Sequence, residues 1–175
     1  MNLDKLSQGE KIAASASLLL FVFMFFDWFS AEVTLGARSA SEGVTAWDAL
    51  DWIPIVLTVT VLAALLVAAL RLSESRYEPP VPANAVVSIL GGLSFLLILY
   101  RIIDPPGASG SIPGFSFDVS PTFWIFVSLV AAAGVAYGGY RAMQAEGASF
   151  GEIGERLGGR NDGGGGGGTP PQPPS

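Results

Sequence analysis

A guanidinium and a carboxylate three residues apart are the strongest hint of chemistry in this 175-residue chain. Arg101 and Asp104 fall within Tyr100-Arg101-Ile102-Ile103-Asp104-Pro105-Pro106-Gly107, a spacing that sets both on one helix face. Asp27 and Asp51 end or begin neighbouring apolar runs and can reach the same level. Arg101 with Asp27, Asp51 or Asp104 is therefore a candidate ion pair that gathers helix ends around one site. The plainer alternative is an arginine snorkelling to lipid headgroups from a helix C-terminus, where a cation is favoured. Tryptophans stand beside these carboxylates: Trp28 follows Asp27, and Trp47-Asp48-Ala49-Leu50-Asp51-Trp52 repeats the association. This cluster could floor an outward-facing pocket, but interfacial anchoring is the simpler expectation, and with Trp124 the tryptophans form an aromatic belt at one membrane interface.

Other chemistry is excluded by composition. The chain has no Cys and no His, which removes thiol nucleophiles, imidazole bases, disulfides and the usual zinc ligand sets. A metal would need carboxylates alone, and none lies within an apolar run. The net charge of −6 supplies no basic face for nucleic acid. Only 14% of residues are charged and half are apolar, against about 25% charged in soluble domains, so the composition is that of an integral membrane protein.

The elements that must position these residues are four apolar runs. Ser7-Gln8-Gly9-Glu10 is a capping box, in which hydroxyl and carboxylate each satisfy a free amide of the first turn. It opens a span over about residues 10–29, expected to be retained because Asp27-Trp28-Phe29 offers no small-residue cleavage site. Further spans are expected at about 53–70, 83–103 and 121–140. Thr45-Ala46-Trp47-Asp48 begins a helical turn before the second, and Ser120-Pro121 reads as N-cap and first helical residue of the fourth. The segments 30–45 and 104–119 read as irregular loops, with a short extended piece at Val33-Thr34-Leu35. Gly91, Gly92, Gly134 and Gly138 lie within spans, where small residues let helices approach closely. The expected architecture is all-α, an antiparallel four-helix transmembrane bundle over residues 1–141 with a flexible Gly/Pro-rich tail over 142–175.

The charges orient it. Placing both termini in the cytoplasm puts Lys5, Lys11, Arg71, Arg76, Arg141, Arg156 and Arg160 inside, and Arg38 and Arg101 outside, which is the positive-inside bias. Trp28, Trp47, Trp52 and Trp124 then share the outer interface. Between their ends the spans hold no Asp, Glu, Lys or Arg, whereas proton relays and ion-coupled transporters place ionisable groups at mid-depth.

Five runs carry a resemblance: Leu6-Ser7-Gln8-Gly9-Glu10-Lys11, Phe25-Phe26-Asp27-Trp28-Phe29, Ala46-Trp47-Asp48-Ala49, the Arg101–Gly107 run, and Gly138-Gly139-Tyr140. In these the chain resembles small four-span membrane proteins of unassigned function from actinobacteria. The resemblance covers about residues 3–146 and implies a multi-pass protein of the bacterial cell membrane, without implying an activity. Claudins and tetraspanins share the span count, but their loop cysteines are absent here. The expected function is non-enzymatic, an accessory or scaffold component that meets lipid on its flanks and a protein partner through its outer loops or tail. A small transport or channel subunit acting as an oligomer is the alternative; neither reading needs a cofactor.

Overall fold

The computed structural model describes residues 6–73, 83–107, 110–147 and 151. The chain runs α1 (Gln8–Phe23), β1 (Asp27–Leu35), β2 (Arg38–Thr45), α2 (Ala46–Ala49), α3 (Ile53–Leu72), α4 (Ala83–Ile103), β3 (Gly110–Ile112), β4 (Phe115–Pro121) and α5 (Phe123–Ala145). The four long helices pack as a ring, α5 lying between α1 and α4, and α3 closing the circuit against both. The expectation of an all-α protein is overturned: the two segments read as loops form one antiparallel sheet, in the order β2-β1-β4-β3.

The sheet forms because β1 supplies a period-two pattern that both neighbours can satisfy. Its hairpin to β2 turns at Gly36, whose φ of +60° suits the first position of a two-residue turn closed by Leu35 and Arg38. On its other side β1 pairs with β4 from Phe29↔Pro121 to Leu35↔Phe115. Residues paired across an antiparallel sheet share a face, so this register sorts the sheet completely. Phe29, Ala31, Val33 and Leu35 share one face with Phe115, Phe117, Val119 and Ile112; Ser30, Glu32 and Thr34 share the other with Ser116, Asp118 and Ser120.

The expected first span is shortened by the same sheet. α1 stops at Phe23 after 16 residues, about 24 Å at 1.5 Å per residue, and Asp27-Trp28-Phe29 belongs to β1 instead. The β1–β2 register slips between Asp27 and Phe29, so Trp28 sits in a bulge, a feature that re-aims a side chain. Its indole turns into the bundle, fully buried, and donates a 2.8 Å hydrogen bond to the Phe23 carbonyl at the end of α1. The fourth helix also begins later than expected: Pro121 ends β4, and Thr122 is the N-cap of α5. α5 continues to Ala145, into the stretch expected to be tail; residues 148–150 and 152–175 lie outside the described residues.

Among the described residues three helices, α3, α4 and α5, are long and apolar enough to cross a membrane. Their outward faces carry Ile55, Leu62 and Leu66, Ile89 and Leu96, Phe123 and Val130, all exposed. Inside, the two halves of the ring are filled differently. Near the sheet the core consists of large residues, among them Leu20, Met24, Trp28, Phe29, Leu50, Ile98 and Ile125. Toward the other end it narrows to Ala13, Ala64, Val87 and Val135, and backbones replace side chains as the contact. A Cβ on Gly138 would stand 2.5 Å from the Ala13 nitrogen, one on Gly91 2.5 Å from the Ala136 nitrogen, and one on Gly139 2.7 Å from the Ser88 nitrogen. Gly134 faces the Ala16 methyl, while Gly92, expected to pack, faces open space. Buried hydroxyls are bonded: Thr60 and Ser94 to each other across α3 and α4 at 2.8 Å, and Ser88 to the Ala136 carbonyl at 3.0 Å.

These approaches separate glycines that look alike in sequence. Gly138→Ala is expected to push α1 from α5 and lower stability by about 1–3 kcal/mol, the usual cost of overpacking. Gly92→Ala should be neutral or slightly stabilising, because alanine is the better helix former. Thermal unfolding of both variants in detergent micelles checks the contrast, and equal losses would contradict it.

Candidate functional site: the sheet face and the helical clamp

Two arrangements combine residues from separate elements, one at each end of the ring. The first is the apolar face of the sheet. At its base this face is part of the core: Phe29 is fully buried, and Val44 and Val119 pack against the same cluster. At its far end no other described residue covers it, and Leu35, Ile112 and Phe115 are 60%, 68% and 39% exposed. The two hairpin turns stand side by side there, joined by the Gly36 amide donating to the Gly114 carbonyl at 3.0 Å. An open hollow of about 430 Å³ lies beside them, lined by Gly110, Ser111, Ile112, Phe115 and Phe117. Arg38 and Glu42, on β2, belong to the same face and give it a charged rim.

The second arrangement is polar, and it ties together the ends of the four long helices farthest from the sheet. The Ser7 capping box forms as expected: the Glu10 amide donates to the Ser7 hydroxyl, and the Ser7 amide donates to Glu10 Oε2 at 2.9 Å. Glu10 is only 6% exposed, and its second oxygen does further work. Oε1 accepts from Arg71 Nε of α3 at 3.1 Å and from Asn84 Nδ2 of α4 at 3.3 Å. Asn84 donates also to Oε1 of Glu146, the C-cap residue of α5, at 3.0 Å, and Arg71 pairs with that carboxylate through Nη2. The local reasons are legible: Glu10 lies in the first turn of α1 and Arg71 in the last turn of α3, each where the helix dipole favours its charge. Gly9 makes the closure possible, since a Cβ there would meet the Gly138 carbonyl at 2.6 Å. Both oxygens of Glu10 are occupied, so its carboxylate joins α1 to α3 and α4.

The residues singled out from the sequence are dispersed. Among the described residues none of Asp27, Asp51 and Asp104 forms an ion pair with Arg101. Asp104 accepts instead from the Tyr100 hydroxyl at 2.9 Å. Asp27 packs against Gly43, and its carbonyl accepts from the Thr122 hydroxyl, which fastens the start of α5 to the base of β1. Asp51 is exposed in the turn before α3, with a φ of +24°. The tryptophans divide likewise. Trp47 and Trp52 are exposed, Trp124 is partly buried against Phe26 with ring centroids 4.3 Å apart, and Trp28 belongs to the core rather than to a belt. Glu10, Arg71, Asn84 and Glu146 went unmarked as a group because they are far apart in the chain; only the capping role of Glu10 had a local signal. No group of three or more metal-ligating side chains occurs among the described residues.

The clamp makes a stability prediction. Arg71→Met leaves the buried Glu10 carboxylate without its cation and should cost about 1–2 kcal/mol, below the 3–5 kcal/mol of a fully buried pair because Arg71 is half exposed. Adding Glu10→Gln removes the stranded charge, so the double variant should recover part of that loss. Unfolding of the three variants in micelles measures this, and a double variant worse than the sum of the singles would argue against the clamp.

Comparison of the chain with protein-family models, curated proteins and solved structures finds no match.

Proposed function

We propose that this chain is a multi-pass membrane protein with no catalytic activity of its own, an accessory or scaffold component that holds a partner on the apolar face of its sheet. The observation that carries the reading is the amphipathic sheet whose apolar face leaves the bundle core and continues, uncovered, to Leu35, Ile112 and Phe115. Exposed clusters of large apolar residues with a polar rim are characteristic of interaction surfaces. The helical part suits a support: its buried hydroxyls are bonded in place, and the clamp and glycine contacts join all four long helices.

In this reading α1 is the fourth span. Its helix is shorter than the others, but the turn after it adds Phe25 and Phe26, both exposed, to the outward face of Leu18, Leu19 and Val22. Both termini are taken as cytoplasmic and the sheet as outside, in a bacterial cell membrane; the excess of Lys and Arg in the segments outside the sheet-side loops supports that orientation.

The absence of cysteine makes the orientation directly testable. An impermeant maleimide on intact cells should label Ser39→Cys, on the sheet, and leave Ser73→Cys, after α3, unlabelled until the membrane is opened. The reverse pattern would overturn the topology. Docking is tested by a photo-crosslinking residue at Ile112 or, on the polar face, at Ser116. A discrete adduct should form only from position 112 and should vanish in Leu35→Ser/Phe115→Ser. Adducts of equal yield from both faces would remove the docking surface.

A further inference from the structure

We propose that the outer edge of β2 pairs antiparallel with β2 of a second copy of this chain, about a twofold axis at Ala40, joining two sheets into one. β2 is eight residues long and ends the sheet order β2-β1-β4-β3, so one side of its backbone has no neighbouring strand among the described residues. Arg38 to Gly43 are all exposed. The opposite edge strand, β3, is only three residues long. A long exposed edge is a template for another strand, and proteins that avoid such pairing blunt the edge with proline, a bulge or charge. β2 has no proline, and its only charges are Arg38 and Glu42, one of each sign.

Which backbone groups are free follows from the hairpin. Leu35 and Arg38 close the two-residue turn as a hydrogen-bonded pair, and such pairs alternate along an antiparallel ladder. Arg38, Ala40 and Glu42 therefore bond toward β1, while the N–H and C=O groups of Ser39 and Ser41 point out from the edge. A further antiparallel strand must set its own outward groups opposite these. Two copies of β2 do so only in registers where one residue stands opposite its own counterpart, and the charges choose among them. Centred on Ala40, Arg38 of each copy stands opposite Glu42 of the other, and Ser39 opposite Ser41. Centred on Arg38 or Glu42, like charges oppose each other directly, which is destabilising. Centred on Ser39, Ser41 or Gly43, neither charge meets its opposite.

In the Ala40 register the Ser39–Ser41 pairs carry the backbone hydrogen bonds. The two Ala40 residues and both Arg38–Glu42 pairs take the non-hydrogen-bonded positions, where opposing side chains are closest. Arg38, Ala40 and Glu42 all lie on the apolar face, with Val33 beside Ala40, so two ion pairs flank a small apolar centre. The self-complementary run Arg-Ser-Ala-Ser-Glu is what points to a second copy rather than a foreign strand. Residues paired across an antiparallel sheet share a face, so the joined sheet presents both apolar faces on one side. The inference does not depend on what docks there.

The test uses the full chain in neutral detergent micelles, because antiparallel pairing sends the two helical rings off opposite ends of the joined sheet and micelles leave each free to turn. The chain has no cysteine, so Ala40→Cys places a single thiol on the axis, with Cα atoms about 4.5 Å apart and within disulfide reach. Mild oxidation should link Ala40→Cys into a dimer and leave Ser39→Cys largely unlinked, since Ser39 faces Ser41 of the other copy. Arg38→Glu and Glu42→Arg should each weaken dimerisation about ten-fold in sedimentation velocity, and the exchange Arg38→Glu/Glu42→Arg should restore it. A wild-type chain that stays monomeric, with no crosslink from Ala40→Cys, overturns the proposal. So do equal crosslinking from positions 39 and 40, and an exchange variant as weak as the single ones. In an unfractionated detergent extract, Ala40→Cys linked to other proteins in place of itself would give the edge to a foreign strand and overturn the second copy. All these positions are exposed, so thermal unfolding of each variant, expected to be unchanged, separates lost pairing from lost fold.

Discussion

The junction of helix and sheet depends on how Trp28 is placed. A bulge between Asp27 and Phe29 turns the indole into the ring, where it donates to the Phe23 carbonyl at the end of α1 while its own backbone carbonyl accepts from the Thr122 amide. One residue thus ties the end of the first helix to the first strand and to the residue that caps the last helix. A smaller side chain there would leave a void in the core beside the sheet and weaken the attachment of the strands to it.

From that junction the two ends of the molecule are built on different physics. Near the sheet, bulky side chains fill a wide space and hydrophobic burial dominates. At the other end glycines bring backbones into contact, dispersion acts at short range, and a shared set of charges completes the closure. The sheet continues the apolar packing beyond the helices and leaves part of it open, which is what a platform for another molecule requires.

Much of the helical layout was legible because it is encoded locally. The Ser7–Glu10 capping box appears with both reciprocal bonds, and α3 and α4 begin where expected, at Ile53 and Ala83. Gly91, Gly134 and Gly138 face neighbouring helices, as small residues in spans suggest, but periodicity alone could not tell them from Gly92 or reveal Gly9 and Gly139. The sheet was missed for a physical reason. β2, Arg-Ser-Ala-Ser-Glu-Gly-Val-Thr, has no apolar alternation of its own and becomes a strand only by pairing with β1. β3 and β4 are interrupted by Pro113 and Gly114, which serve a hairpin turn rather than an irregular loop.

The sequence by itself determined what is local or compositional: apolar runs of membrane length, the cap of the first helix, and the exclusion of thiol and imidazole chemistry. Tertiary structure decided what joins distant residues. It gave Glu10 to Arg71 and Asn84 rather than leaving it a simple cap, sent Trp28 inward, and denied Arg101 the aspartates that spacing offered it. The reason is that an ion pair or a strand face depends on register between elements, and register is set by packing across the whole ring and sheet.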